Sequence, residues 1–250
     1  MAIYDFSGQY FLVAGGTGAI GSELCRQLKK SKAKVFICGR DGEKLEALKK
    51  ELDCDGAVVD GASFASYEEA VAKALSHGEL SGAVCCTGSV ILKSAHATTQ
   101  LEFDATIAAN ATSAFGLTRA AAKAMTASGG GSIILVASAA AQIGLQNHEA
   151  IAAAKGAVMG LTLSAAATYA RSNIRVNCVS PGLVETPLTA RITSNDASRK
   201  ASEAMHPLGR LGKPADIVAA MMWLLSDGAT WATGQVIGVD GGLGSLKVRS

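Results

Sequence analysis

The sequence predicts an α/β protein built as one doubly wound, mostly parallel sheet. Three observations carry this expectation. Short apolar runs of strand length recur along the chain, amphipathic helical patterns separate them, and a glycine-rich turn joins the first strand directly to the first helix. Strands separated by helices are joined by crossovers, which make them parallel. Such sheets bind ligands outside the carboxyl ends of their strands, so the residues there are the functional candidates.

Residues 9–14 form the first strand and run into Gly15-Gly-Thr-Gly-Ala-Ile-Gly21, followed by an amphipathic helix from Ser22. Gly16, Gly18 and Gly21 fill a Gly-x-Gly-x-x-Gly pattern in the strand–turn–helix setting that lets a backbone approach a pyrophosphate at a helix N-terminus. A second strand, residues 34–38, ends in Gly39-Arg40-Asp41. An NAD site places an acidic side chain there for the ribose. Here Gly39 leaves space and Arg40 offers positive charge to a 2′-phosphate, which favours NADP(H) over NAD(H). Asp41, just before the next helix, reads as an N-cap.

Residues 56–60 and 80–86 supply further strands around a helix at 67–76, and Thr99-x-x-Glu102 is a capping box opening a long helix through Met125. Asn110 lies in the apolar run of that helix, so it is either a structural bond to backbone or a site residue. Ile133 to Ala137 read as a strand buried on both faces, with Ser138 at its carboxyl end. Asn147 is the expected N-cap of a helix carrying Lys155, which brings Ser138 and Lys155 to one mouth of the sheet. Residues 174–179 form another strand, leading into Ser180-Pro-Gly182. Residues 187–213 are polar and irregular, the pattern of a mobile flap or short-helix insertion. A helix at 214–226 and a strand at 235–239 complete one domain over residues 1–250.

Composition limits the function. The chain has 250 residues, 49% of them hydrophobic, enough for a sizeable core. A net charge of +2, with scattered Lys and Arg and 5% aromatics, gives no basic face for nucleic acid. The start has no basic and apolar leader, and no run reaches the about 18 uninterrupted apolar residues of a membrane span, so a cytoplasmic protein without a membrane partner is expected. The six cysteines show no metal-ligand spacing and read as reduced core residues. Cys85 and Cys86 should point to opposite faces of a strand, and no metal site is expected.

The glycine loop, Asn110, Ser138, Lys155 and Pro181-Gly182-x-x-x-Thr186 together resemble the short-chain dehydrogenase/reductase family, in order and over essentially the whole chain. The resemblance implies a seven-stranded Rossmann domain, hydride transfer at nicotinamide C4 with a small-molecule substrate, and a homotetramer. It implies that Gly15, Thr17, Gly18, Ile20 and Gly21 hold the pyrophosphate side and that Asp60, beside Gly61, meets the adenine. Thr87 and Gly88 would lie along the ribose, and Pro181, Gly182, Val184 and Thr186 would hold the carboxamide. Asn110, Ser138 and Lys155 would line the reaction centre, with Lys155 also bonding the nicotinamide ribose. The family's subunit contact would match the last strand and Asp240-Gly-Gly-Leu-Gly. Ala and Gly are dense over 149–170, which permits close helix approach.

Three departures stand out. Ala19 replaces a glycine, Cys85-Cys86-Thr87-Gly88 replaces Asn-Asn-Ala-Gly, and Ile151 stands where the family has its tyrosine, thirteen residues after the Ser and four before the Lys. An isoleucine moves no proton. His148 lies seven residues before Lys155, close to two helical turns, so His148, Ile151 and Lys155 share a face. Related enoyl reductases carry their tyrosine at that offset with an apolar Met where Ile151 stands. The expectation is a neutral His148 imidazole donating an N–H to the substrate oxygen beside Ser138, the alternative being a solvated residue of the first turn. His77, His96 and His206 receive no role. Two functions compete: an NADP(H)-dependent oxidoreductase acting on a carbonyl, alcohol or activated double bond, and a non-catalytic dinucleotide-binding sensor or assembly protein.

Overall fold

A computed structural model describes residues 4–247. The first half of the chain runs β1 (Tyr10–Ala14), α1 (Ala19–Lys30), β2 (Lys34–Gly39), α2 (Gly42–Leu52), β3 (Asp55–Val58), α3 (Phe64–Leu75), β4 (Gly82–Cys85), α4 (Gln100–Ile107) and α5 (Ser113–Ser128). The second half runs β5 (Gly131–Val136), α6 (Glu149–Tyr169), β6 (Ile174–Pro181), α7 (Asp196–Met205), α8 (Pro214–Leu225) and β7 (Val236–Val239). All seven strands pair in parallel in the order β3-β2-β1-β4-β5-β6-β7.

The unbroken apolar runs arise because both sheet faces are covered. Leu12, Phe36, Cys85 and Ile133 point into one core, with Tyr67, Leu117 and Val158 from α3, α5 and α6. Their neighbours Phe11, Ile37, Val84 and Ile134 point into the other, with Leu24, Leu45 and Ile217 from α1, α2 and α8. Cys85 and Cys86 divide between the two cores as a strand's alternation requires. All six cysteines are free, and burial pushes the Cys38 thiol up to about 12 and Cys178 to about 11.

Local signals set several helix starts. The Asp41 side chain accepts from Lys44 N to cap α2, and Thr99 and Glu102 close the capping box of α4. Others differ from expectation. α1 begins at Ala19, inside the glycine loop, with Gly18 as its N-cap. Asn147 does not cap α6: its φ is +61°, a left-handed conformation that Asn tolerates, and His148 takes the cap position without a side-chain bond to the helix. The long helix expected from 99 to 125 is interrupted by a π-helical turn over Ala108–Thr112.

Residues 187–213 contain α7, so the irregular stretch is a short-helix insertion. α6 with its extension, Glu149–Ser172, is the one helix among the described residues long and apolar enough to cross a membrane by length and composition. Here Val158, Ala165 and Ala166 lie in the core against the sheet.

Candidate active site

The strand order reverses direction at β1 and β4, so their outgoing chains part and leave a crevice at their carboxyl ends. The two loops meet closely. Gly15 has φ +72°, and a Cβ on it would lie 2.7 Å from Cys86 C and from Thr87 N, so the approach requires glycine. A Cβ on Gly21 would collide with Gly15 O, which places Gly21 beneath the loop as a packing residue.

One cavity, about 520 Å³, opens over this crevice and is lined by Gly15, Thr17, Gly18, Arg40, Asp60 and Gly61, among others. Arg40 is exposed and enters no ion pair among the described residues. Asp41 is occupied: its carboxylate caps α2 and lies 3.1 Å from Lys44 Nζ, which holds it below the usual carboxylate range. Gly39 lines the same cavity, and a Cβ on it would lie 2.7 Å from Thr17 Cγ2, so glycine lets Thr17 pack against this strand end. Asp60 Oδ1 accepts from Ala62 N at 3.0 Å and shapes the turn at the cavity edge.

A second cavity, about 400 Å³, adjoins the first along Cys86, Thr87 and Gly88. Ile20, Asn110, Ser138, His148, Ile151, Lys155, Pro181, Gly182, Val184 and Thr186 line it. Residues that the sequence scattered over more than 160 positions therefore converge on two joined cavities, with Gly16 and Gly21 of the glycine loop lying behind them. The rest of the second wall is mostly hydrocarbon, including Leu145, Leu183, Leu188, Ile192, Met205 and Leu243.

Lys155, Ser138 and Asn110 are each tied to main chain. Lys155, 7% exposed, donates from Nζ to Val136 O at 2.7 Å, and burial pulls its pKa below the ordinary lysine value. Ser138 Oγ accepts from Ala140 N at 3.2 Å, leaving its own O–H free to donate. Asn110 sits in the π-helical turn, where main-chain bonding changes register. Its Nδ2 donates to Thr106 O at 2.9 Å and to Ser89 Oγ at 3.2 Å. Its Oδ1 is the one buried side-chain polar atom without a hydrogen-bond partner among the described residues. A Cβ on Gly88 would lie 2.9 Å from that Oδ1 and 3.4 Å from Lys155 Nζ, so Asn110 and Lys155 flank one point beside Gly88.

His148 is half-buried, and its Nδ1 lies 2.7 Å from Gln146 O. A carbonyl only accepts, so Nδ1 carries a proton, and Nε2 is the ring nitrogen left without a protein partner among the described residues. This corrects the expected neutral N–H donor: a neutral ring offers the cavity a lone pair, and only the imidazolium can donate.

Two features escaped the sequence. Tyr67, Ser113 and Thr87 form a buried hydroxyl cluster, with Tyr67 OH 2.5 Å from Ser113 Oγ, Thr87 Oγ1 bonded to the same oxygen, and Cys85 Sγ 3.0 Å from Thr87 Oγ1. The cluster ties the end of β4 to α3 and α5. The second is His206, buried where α7 ends, which joins Ser202 of its own helix to Leu183 on a distant loop. Neither carries a signal in local spacing, because each depends on groups far apart in the chain.

This geometry, a parallel sheet with a glycine-loop crevice and a second cavity on the other side of β4, defines a dinucleotide-binding α/β domain. The comparisons with known proteins agree. Residues 14–244 match a family model described as Enoyl-(Acyl carrier protein) reductase. A tropinone reductase homologue of Arabidopsis thaliana is 32% identical over 246 residues, covering 96% of this chain and 93% of its own. A short-chain type dehydrogenase/reductase from Mycobacterium ulcerans superposes with a TM-score of 0.91 at 32% identity, over 96% of this chain and 90% of its own. An actinorhodin polyketide ketoreductase variant, solved with NADPH, gives 0.91 at 29% identity, over 95% and 98%. The chain belongs to the short-chain dehydrogenase/reductase family, and it is an oxidoreductase of that type.

Proposed function

We propose that the chain is an NADP(H)-dependent oxidoreductase that transfers a hydride between nicotinamide and a small, neutral carbonyl or alcohol, with Ile151 at the position of the family's tyrosine. The observation that carries this reading is the convergence of Asn110, Ser138, His148 and Lys155 on one cavity adjoining the glycine-loop cavity. The residues fit the cofactor. Arg40 offers an unpaired guanidinium for the 2′-phosphate, and Val184 N–H, without a partner among the described residues, fits a carboxamide. NADP(H), when bound, supplies or accepts the hydride.

The protein's own groups do the rest. Ser138 Oγ–H donates to the substrate oxygen. The His148 imidazolium gives a proton to that oxygen in reduction, and neutral Nε2 takes the alcohol proton in oxidation. Lys155 bonds the nicotinamide ribose while Val136 O fixes its ammonium. The segment 187–213 forms the substrate-side flap, and the predominantly apolar wall selects an uncharged substrate. A cytoplasmic homotetramer over residues 1–250 belongs to the same reading.

A second reading, reduction of an activated C=C bond, is favoured by the description of the matching family model and by the His-x-x-Ile-x-x-x-Lys offset. The test is NADPH consumption with neutral ketones, quinones and enones, alongside Ile151→Tyr. Turnover by the wild type supports an enzyme, and the product, alcohol or saturated carbonyl, separates the two readings. Tight NADPH binding with no turnover by the wild type, while Ile151→Tyr is active, leaves a non-catalytic binding protein.

A further inference from the structure

Of the four histidines, His206 alone is buried, at 2% exposure, and both its ring nitrogens are used by main chain. Nδ1 lies 2.7 Å from Ser202 O, one turn earlier in α7. Nε2 lies 3.1 Å from the amide nitrogen of Leu183, 23 residues upstream. A carbonyl can only accept and an amide N–H can only donate, so the ring must be neutral, with its proton on Nδ1 and its lone pair on Nε2. The slot is shaped for it: a Cβ on Gly182 would lie 2.7 Å from Nε2, and one on Gly241 3.5 Å from the His206 Cβ.

Capping α7 needs only the Ser202 bond. The second bond reaches the loop after β6, whose other edge is pinned by Gly212: Gly212 N–H donates to Leu183 O, and Glu185 N–H donates to Gly212 O, both at 2.9 Å. Arg199 of α7 also pairs with Glu185 of this loop and, at 3.0 Å, with Glu203. Ser202, Met205 and His206 share a cavity wall with Leu183 and Val184. A displacement of α7 therefore alters that wall and pulls on the Leu183 amide together.

We propose that His206 is a positioning residue, a latch that makes the substrate-side helix α7 and the loop 181–186 open and close as one unit. The proposal rests on reading 181–186 as the nicotinamide loop. Through the latch, cofactor on that loop orders the substrate wall, and an ordered wall holds the loop for cofactor.

The test is hydrogen exchange, read by peptide, on wild type, His206→Asn and His206→Gln, with and without NADP+, together with steady-state kinetics. The Asn amide reaches only the place of Nδ1, so it keeps the Ser202 bond and loses the Leu183 bond. The Gln oxygen reaches the place of Nε2 and can still accept from Leu183. The expected result is exchange about two- to tenfold faster over 187–206 and at Leu183 in His206→Asn, with the sheet and α8 unchanged. Its KM for substrate should rise with little change in kcat, and His206→Gln should restore both. NADP+ should protect 187–206 in wild type and His206→Gln but not in His206→Asn.

Wild-type exchange over 187–206 in His206→Asn, or equal loosening of the whole chain by both variants, overturns the proposal. If calorimetry shows no NADP+ binding, the functional reading fails, while the cofactor-free comparison still decides the latch. Should His206→Asn not fold, wild type alone decides: the Leu183 and α7 amides must open with one common denaturant dependence, and separate opening overturns the latch.

Discussion

Lys155, in the second turn of α6, donates a 2.7 Å hydrogen bond to Val136 O, the last carbonyl of β5. The bond fixes the ammonium at the strand end but does not replace its lost hydration, and burial lowers its pKa from the ordinary 10.5. Between the lowered folded value and the ordinary unfolded one, the unfolded chain holds more protons than the folded chain. Stability attributable to this group therefore rises with pH across that window. Without cofactor, the urea midpoint of wild type should gain on that of Lys155→Met as pH is raised from about 7 toward the ordinary lysine range. A gap that stays constant with pH would show that Lys155 is not held as a strained ammonium.

Arg40 should read the cofactor's 2′-phosphate. Asp41 is committed to Lys44 and to the start of α2, so the guanidinium next to it is the group left free at that edge of the cavity. A charge-assisted bond is worth about 1.5 to 3 kcal/mol, and solvent exposure places this one near the lower end. Arg40→Ala should weaken NADPH binding about tenfold and leave NADH nearly unchanged in calorimetry. Equal losses for both would remove Arg40 as the discriminating residue.

How far the sequence reveals this site depends on the range of the interactions. The Asp41 cap and the Thr99–Glu102 box are four-residue events whose partners are neighbours in the chain, and both form as their spacing predicts. The strands are legible because each is short and buried on two faces. Asn110 stands out as a polar residue in an apolar run, but the π-helical turn around it does not, since one altered bonding register leaves the apolar pattern intact. Asn147 has the right side chain for a cap, yet its left-handed backbone gives that place to His148. The Tyr67–Ser113–Thr87 cluster and the His206 latch are invisible to spacing, because their partners come from elements that meet only once the sheet has closed.

The oligomer is testable on the outer face of α6. Gly156, Gly160 and Leu163 recur at helical spacing, a Cβ on either glycine would meet nothing within 4 Å, and Leu163 is 56% exposed. Phe115 of α5 is exposed as well. A stripe of this kind admits close approach of a second copy's helix, the contact a homotetramer requires. Light scattering at micromolar concentration should give a tetramer for wild type and a smaller species for Leu163→Arg, with far-ultraviolet circular dichroism unchanged. A monomeric wild type would remove the idea.

Proton supply is the step on which Ile151 places the greatest demand, since it lines the cavity with hydrocarbon. His148 and Ser138 are the groups on that wall assigned to the substrate oxygen. With Nδ1–H directed at Gln146 O, His148 can donate only as the imidazolium and can accept only when neutral. Removing a positioned general acid typically costs about a hundredfold or more, whereas a solvated histidine costs almost nothing. Accordingly, kcat/KM for His148→Phe should drop by about that factor, and Ser138→Ala should drop in both directions. Full activity in His148→Phe with loss in Ser138→Ala would assign the proton to Ser138 or to solvent and return His148 to the role of a cap-position residue.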